Sequence, residues 1–523
     1  MTEDKHLDIG FQKRFSKNLL SNIIYFILSI IVGLALVPFF LDTLGESAYG
    51  LVPLATSLTS YVTLFIDGVN ESISRYLTID LQQGRLKKAI TTYNTALFGT
   101  MGILILMIPI GIVAAIFSPT FFEIGTANPT DVMLLFGLIL ASVYIRAWSS
   151  NFMVTLFAYN RLDMRNYINN LNLLVQVVAV VILFAVSGPT LPNVGMSYLI
   201  ASVAALILAV ILSKRVCPSL HVSATSFSFS HLKEIVSVSL WIVLAKLGVV
   251  LRSQLALMIV NVMFGTIAGT EYSLVLTWNT LIISIISLIT SCFVPMSYSY
   301  RAKDDKEGLT RFTKFTVKVV TLATALLVGL VSIFAGQLMK IWVGAEYADL
   351  AMLVCVVIIG CIFAVQSSCC SAINAAYLRV RFPAFANLVA GVVNIILALA
   401  LPRVFDMGIY GVAIATTLAT LLLSGFLSPM NGAYILKVPL FTFIKPAIAG
   451  YIALIILIIS GRILTSIISI DGILLTFISG GSIAILYTII VWCFVIKKEE
   501  RKIVLAVIPT MISSKIPKLI REF

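Results

Sequence analysis

Met101-Gly-Ile-Leu-Ile-Leu-Met-Ile-Pro-Ile-Gly-Ile-Val-Ala-Ala-Ile-Phe117 runs without a single charged, amide or hydroxyl side chain. Extended back to residue 87, it is long enough to cross a bilayer as a helix. A crossing takes ~20 mostly apolar residues, because no backbone group can stay unpaired in lipid. Working outward from it, fourteen segments meet the same test: 17-41, 48-77, 87-117, 129-157, 162-187, 192-213, 234-263, 270-300, 309-335, 348-376, 382-401, 408-437, 441-464 and 472-496. The sequence therefore reads as an all-α polytopic membrane protein. With 60% hydrophobic and 11% charged residues and a mean hydropathy of +1.06, nothing is left for a sizeable soluble domain.

Lys and Arg near span ends are retained on the cytoplasmic side, so they set the orientation. Here they crowd the N-terminal stretch, the loops from even to odd spans and the C-terminal tail. The opposite loops hold only Lys340, Arg403 and Arg462, against acids such as Asp42, Glu46, Glu123, Glu346 and Asp406. Both termini are thus expected in the cytoplasm, with the protein in the plasma or inner membrane. The net charge of +13 belongs to that face, where anionic headgroups meet it. It makes no case for nucleic acid, since the basic clusters lack interleaved aromatic platforms. The first span is too long for a signal-peptide core and is expected to stay in the protein.

Seven cysteines fall in spans or on the cytoplasmic side and form no disulfide framework. The adjacent Cys369-Cys370 pair reads as small-residue packing. His6, His221 and His231 have no ligand partners at metal-binding spacing, so no metal is expected. No Walker A loop, nucleophile elbow or dinucleotide fingerprint occurs, and no loop is long enough for a catalytic domain. Neither an enzyme nor an organic cofactor is expected.

The two halves echo each other. Phe40-Leu-Asp-Thr-Leu-Gly45-Glu-Ser-Ala-Tyr49-Gly-Leu-Val52 and the later Gln83-Gly84 turn recur as Met263-Phe-Gly265 through Glu271-Tyr272-Ser-Leu-Val275 and Glu307-Gly308. Ala158-Tyr159-Asn-Arg161 with Asn169 recurs as Ala376-Tyr377-Leu-Arg379 with Asn387, at an offset of 218. The reading that follows is a cytoplasmic segment 1-16, a six-helix bundle 17-213, a linker 214-233, a second bundle 234-437, two extra helices within 438-496 and a basic amphipathic tail 497-523. Because six is even, the copies run in the same direction, related by a pseudo-two-fold axis along the membrane normal.

These motifs, with Leu44-Gly45, Tyr49-Gly50-Leu51 and Gly408-Ile-Tyr410-Gly411-Val-Ala413 entering the twelfth span, give a resemblance. The chain resembles the polysaccharide-transporter branch of the multidrug/oligosaccharidyl-lipid/polysaccharide exporter superfamily, across all fourteen spans. The resemblance implies two bundles rocking around a central cavity open alternately to each side. It also implies a cargo of polyisoprenyl-pyrophosphate-linked oligosaccharide, moved to the outer leaflet for surface polysaccharide synthesis. Glycosyltransferases or a polymerase of the same pathway would be partners, besides membrane lipids.

Five ionisable residues fall at membrane depth: Asp67 and Glu71 in the second span, Arg146 in the fourth, Lys246 and Arg252 in the seventh. Each costs ~2.5 to 3.5 kcal/mol at the centre of an isolated helix, a cost tolerated only beside a partner or water. Arg146, Lys246 and Arg252 are therefore the candidate cargo-binding cations, suited to a pyrophosphate, although structural ion pairing explains them too. Asp67 and Glu71, four apart on one helix face, are candidate counter-ions or sites for a coupling proton or Na+; for Glu71, snorkelling toward the headgroups is the simpler account. Tyr49, Trp278 and Trp342 read as interfacial aromatics. The alternative function is a cation-coupled multidrug or metabolite exporter, which should present a net-negative cavity. An uncoupled scramblase or scaffold is a third reading, disfavoured by the buried charges.

Overall fold

A computed structural model describes residues 3-291, 293-377, 379, 381-467, 472-497 and 500-501. Every regular element among them is helical. The helices are α1 (Glu3–Leu44), α2 (Glu46–Tyr49), α3 (Leu51–Gln82), α4 (Leu86–Phe121), α5 (Pro129–Ala158), α6 (Leu162–Ser187), α7 (Leu191–Val216) and α8 (Phe229–Ser291). They continue with α9 (Val294–Ala302), α10 (Lys306–Ile333), α11 (Ala335–Trp342), α12 (Ala351–Ala376), α13 (Arg381–Val404), α14 (Gly408–Thr420), α15 (Ser428–Leu436), α16 (Lys445–Ile467) and α17 (Ile473–Ile490). A π-helical turn, Leu421–Leu427, joins α14 to α15 without a break.

Thirteen helical stretches among the described residues are long and apolar enough to cross a membrane. One of them, Lys246–Ala302, has 57 residues. At 1.5 Å per residue that is about 86 Å, nearly three hydrocarbon thicknesses. It is interrupted at Gly265, whose φ of 90° and ψ of −179° no helix contains. The stretch therefore supplies two crossings, and the total is the fourteen read from the sequence. Large apolar side chains left outward, among them Leu106, Ile110, Val186 and Phe494, fit a solvent of lipid chains rather than water.

The chain packs as two compact units. The first runs to Ser273 and takes in Asn387–Arg403; the second holds Leu274–Ala386 and resumes at Val404. These units do not coincide with the two bundles of the repeat, since residues 234-273 and 387-403, assigned above to the second bundle, pack within the first unit. One cause is the close approach of α8 and α13: a Cβ on Gly248 would lie 2.2 Å from the Asn387 carbonyl carbon, so only glycine fits there. In the first unit α5 packs along α7 and α3, and α6 along α7 and α1; in the second, α10 packs along α16 and α12.

Local backbone geometry recurs with the repeat. Gly45, where α1 breaks into α2, has φ 80° and ψ 162°, close to the values at Gly265. Arg161 N donates to Leu156 O at 2.8 Å, and Arg379 N to Asn374 O at 2.9 Å, so both turns close on the carbonyl five residues back. The turn after α3 closes the same way, Arg85 N to Asp80 O at 2.8 Å, with Gly84 at φ 68°. Its counterpart is Asp305 N to Tyr300 O at 3.0 Å, with Asp304 at φ 51°. The residue matching Gly84 is thus Asp304, not Gly308, which lies inside α10 where Asp305 Oδ1 caps its N–H at 2.7 Å.

Residues 3-16, read above as part of a cytoplasmic segment, are helical and continuous with the first span. Tyr49 is no interfacial residue: it is buried and stacks on Phe40 with ring centroids 6.5 Å apart. The linker is ordered by α4. Asn94 Oδ1 accepts from Ser223 N at 2.7 Å, its Nδ2 donates to His221 O at 3.0 Å, and Thr95 Oγ1 accepts from Ser228 N at 3.1 Å. Burial there pushes the Cys217 thiol up to about 11. The amphipathic tail proposed for 497-523 lies outside the described residues apart from Lys497, Glu500 and Arg501.

Candidate functional site: a charged cavity in the first unit

A cavity of about 1220 Å³ opens in the first unit, walled by α1, α3, α5 and α6, with Lys246 of α8. That exceeds the range of about 300–1,000 Å³ usual for drug-sized ligands. Its walls mix apolar side chains with many polar ones. Thr59, Thr63, Asp67, Asn70, Glu71, Ser74, Arg75 and Thr78 follow one face of α3, and Arg146, Ser149 and Ser150 come from α5. Arg165, Asn166, Asn169 and Asn172 come from the first turns of α6, and Asn22 and Tyr25 from α1.

Four of the five membrane-depth residues meet here. Lys246 Nζ lies 3.5 Å from Asp67 Oδ2 and 3.9 Å from Glu71 Oε2. Because the acids are four residues apart, one ammonium bridges both. The three side chains remain 38%, 58% and 62% exposed, so this is a wet, exchangeable pair rather than a sealed one. Arg146 is exposed into the same cavity and has no carboxylate within salt-bridge distance among the described residues. It stands 17 residues into α5 and 12 from its end, about 25 Å and 18 Å along the axis, beyond the reach of snorkelling.

Arg252 departs from the expectation. It is absent from the lining, and its backbone carbonyl on α8 accepts from Asn394 Nδ2 of α13 at 3.0 Å. Its Nη1 and the Asn394 Oδ1 are both buried without a hydrogen-bond partner among the described residues. The carboxylate pairing with a seventh-span cation is Asp67, and the cation is Lys246.

Two cations and an amide cluster were missed. Arg75 and Arg165 look like ordinary span-end charges in the sequence, yet both line the cavity and raise its count to four bases against two acids. Asn166, Asn169 and Asn172 recur every three residues, and this i, i+3, i+6 spacing on α6 was the legible sign of a polar helix face. Asn166 Nδ2 donates to Ser21 Oγ at 2.9 Å and ties this face to α1, while Asn70 Nδ2 donates to Ser150 Oγ at 2.7 Å and ties α3 to α5. The site thus combines exposed guanidinium groups, an exchangeable ammonium and neutral amides and hydroxyls. It can neutralise a multivalent anion while hydrogen-bonding a polyhydroxylated one.

No family model matches the chain. It is 26% identical over 495 residues to the uncharacterized membrane protein EpsK of Bacillus subtilis (strain 168), covering 94% of this chain and 97% of that protein. Among solved structures it resembles the lipid II flippase MurJ in an inward closed conformation. That match has a TM-score of 0.65 at 13% identity over 92% of this chain and 99% of that one. It also resembles an inward-facing multidrug resistance MATE family transporter of the MOP superfamily, with TM-score 0.62 at 12% identity over 83% and 95%. The fold is that of the MOP exporters.

Proposed function

We propose that this multi-pass membrane protein with the MOP exporter fold is a flippase. Its cargo is a polyisoprenyl-pyrophosphate-linked oligosaccharide, carried from the cytoplasmic to the outer leaflet for surface glycan synthesis, with both termini cytoplasmic. The observation that carries this reading is Arg146, a cavity-facing cation without a carboxylate partner among the described residues, far from either end of a membrane-spanning helix. Such a charge is tolerated at membrane depth beside water or a partner, and a visiting anion would be that partner when it displaces the cavity water. The amides on α6 and the hydroxyls on α3 suit sugar hydroxyls, and the cavity volume suits a cargo larger than a drug. One structure that shares this fold is itself a lipid II flippase, which supports the reading.

In this mechanism the pyrophosphate is gripped by Arg146 with Arg75 and Arg165. It also competes for Lys246, drawing the ammonium away from Asp67 and Glu71. Those carboxylates are then free to take up a proton or Na+, which would couple the reorientation of the site to an ion gradient.

Arg146→Ala should lower export of the glycan, or flipping of a polyprenyl-pyrophosphate oligosaccharide in proteoliposomes, roughly 10- to 150-fold. That is the ~1.5–3 kcal/mol of a charge-assisted hydrogen bond. The amount of protein in the membrane should be unchanged, and Arg146→Lys should retain more activity than Ala. Wild-type flipping by the Ala protein would defeat the proposal. The second reading, a cation-coupled exporter, is favoured by one observation, the two carboxylates facing the cavity. It predicts gradient-dependent efflux of an organic cation such as ethidium that Asp67→Asn abolishes.

A further inference from the structure

The second unit has a cavity of its own, about 960 Å³, at the end where α12 stops, α13 starts and α15 gives way to the next loop. Its charged lining is Arg379, Arg381 and Lys437, with no acid among the lining residues. All three side chains are exposed. They stand beside aromatic rings that face outward: Tyr434 is 75% and Phe382 45% exposed.

The repeat shows that this charge is not the default for such a turn. Arg161 and Arg379 occupy equivalent places, each closing its turn on the carbonyl five residues back. Two residues on, the first unit has Asp163 and the second has Arg381. Asp163 is buried and binds Arg161 (3.0 Å) and Lys17 (3.1 Å), so the first turn carries its own counter-ion. In the second turn a base stands where that acid would be, and Lys437 is added from across the cavity.

We propose that this cavity binds the phosphate headgroup of a membrane lipid in the leaflet at the basic end of the molecule. Clustered cations beside outward-facing aromatics at the end of membrane-spanning helices match a headgroup whose chains continue along the apolar helix surface. A free phosphate would make no use of Phe382 and Tyr434. The site is separate from the Arg146 cavity and does not depend on the transport reading. Two sources carry the required chemistry, a bulk anionic phospholipid and a polyprenyl pyrophosphate.

The test uses the full-length protein in phosphatidylcholine nanodiscs, with a photoreactive phosphatidylglycerol in one arm and a photoreactive polyprenyl pyrophosphate in the other. Arg379→Gln/Arg381→Gln should weaken labelling of the site by roughly 30-fold in at least one arm, the equivalent of about 2 kcal/mol. Arg379→Lys/Arg381→Lys should retain it. The arm that falls identifies the source; a fall in both means that the site takes any lipid phosphate. Lys437→Gln, distant in sequence, should weaken labelling about fivefold on its own, so the outcome does not hang on the folding of one variant. Labelling by the Gln pair and by Lys437→Gln equal to wild type in both arms would overturn the proposal. Arg146→Gln should leave labelling at this site intact, which separates its failure from failure of the transport reading.

Discussion

The turn from α5 to α6 and the turn from α12 to α13 share a backbone closure and differ in electrostatics. In the first, Asp163 gathers Arg161, Lys17 and the Asn18 amide, whose Oδ1 accepts from Asp163 N at 3.0 Å, and so ties α1 to α6. In the second, Arg379, Arg381 and Lys437 stand around a cavity with no acid in its lining. Arg301 lies over Tyr377 at 4.4 Å but is held by Asp304 at 2.7 Å. The lesson is that a repeated scaffold conserves backbone geometry while one side chain decides whether a turn is a structural tie or an anion-binding surface.

Exchanging that residue tests the comparison most severely. Asp163→Arg should fail to accumulate, because it places a third cation beside Arg161 and Lys17 in a buried position, a cost of about 3–5 kcal/mol. Arg381→Asp, at an exposed position, should accumulate better than Asp163→Arg and should lose lipid labelling. Membrane fractions probed for folded protein decide the matter, and equal yields for the two variants would erase the distinction between the turns.

A smaller effect is expected at the matched breaks. Gly45→Ala and Gly265→Ala each meet no atom within 4 Å, so their cost is backbone strain alone, ~1–3 kcal/mol for a conformation that favours glycine. Thermal unfolding in detergent should show similar losses for the two. A loss at only one would mean that the shared geometry is not shared in function.

Topology gives the last check, with no expected change in stability. In a Cys-less background, cysteines at Ser47, Asn128 and Asp406 should label from outside intact cells, and those at Gln83, Ser226 and Asp305 only after permeabilisation. In the native protein, buried Cys217 with its raised pKa should resist thiol reagents at neutral pH even in permeabilised cells.

Much of the fold was legible because each crossing must satisfy its own backbone and therefore carries its own record of length and composition. Even the hidden break in the 63-residue helix α8 was readable, since no bilayer takes a helix that long. Asp67 and Glu71 were readable as one face because i and i+4 always are. Arg75 and Arg165 were not, because their distance from the span ends leaves open whether they reach water along the outside of the protein or from within a cavity.

From the residues alone came the number of crossings, the side on which the basic loops gather, the echo between halves and the identity of the costly charges. The tertiary structure alone decided which charges meet: Lys246 with Asp67, 179 positions away in the chain, and Arg252 with the Asn394 helix instead of the cavity. The physical reason is the range of the constraint. Lipid acts on each segment separately and writes its demand locally, whereas pairing in a bundle depends on helix rotation and neighbour choice, which small residues such as Gly248 permit but no local pattern specifies.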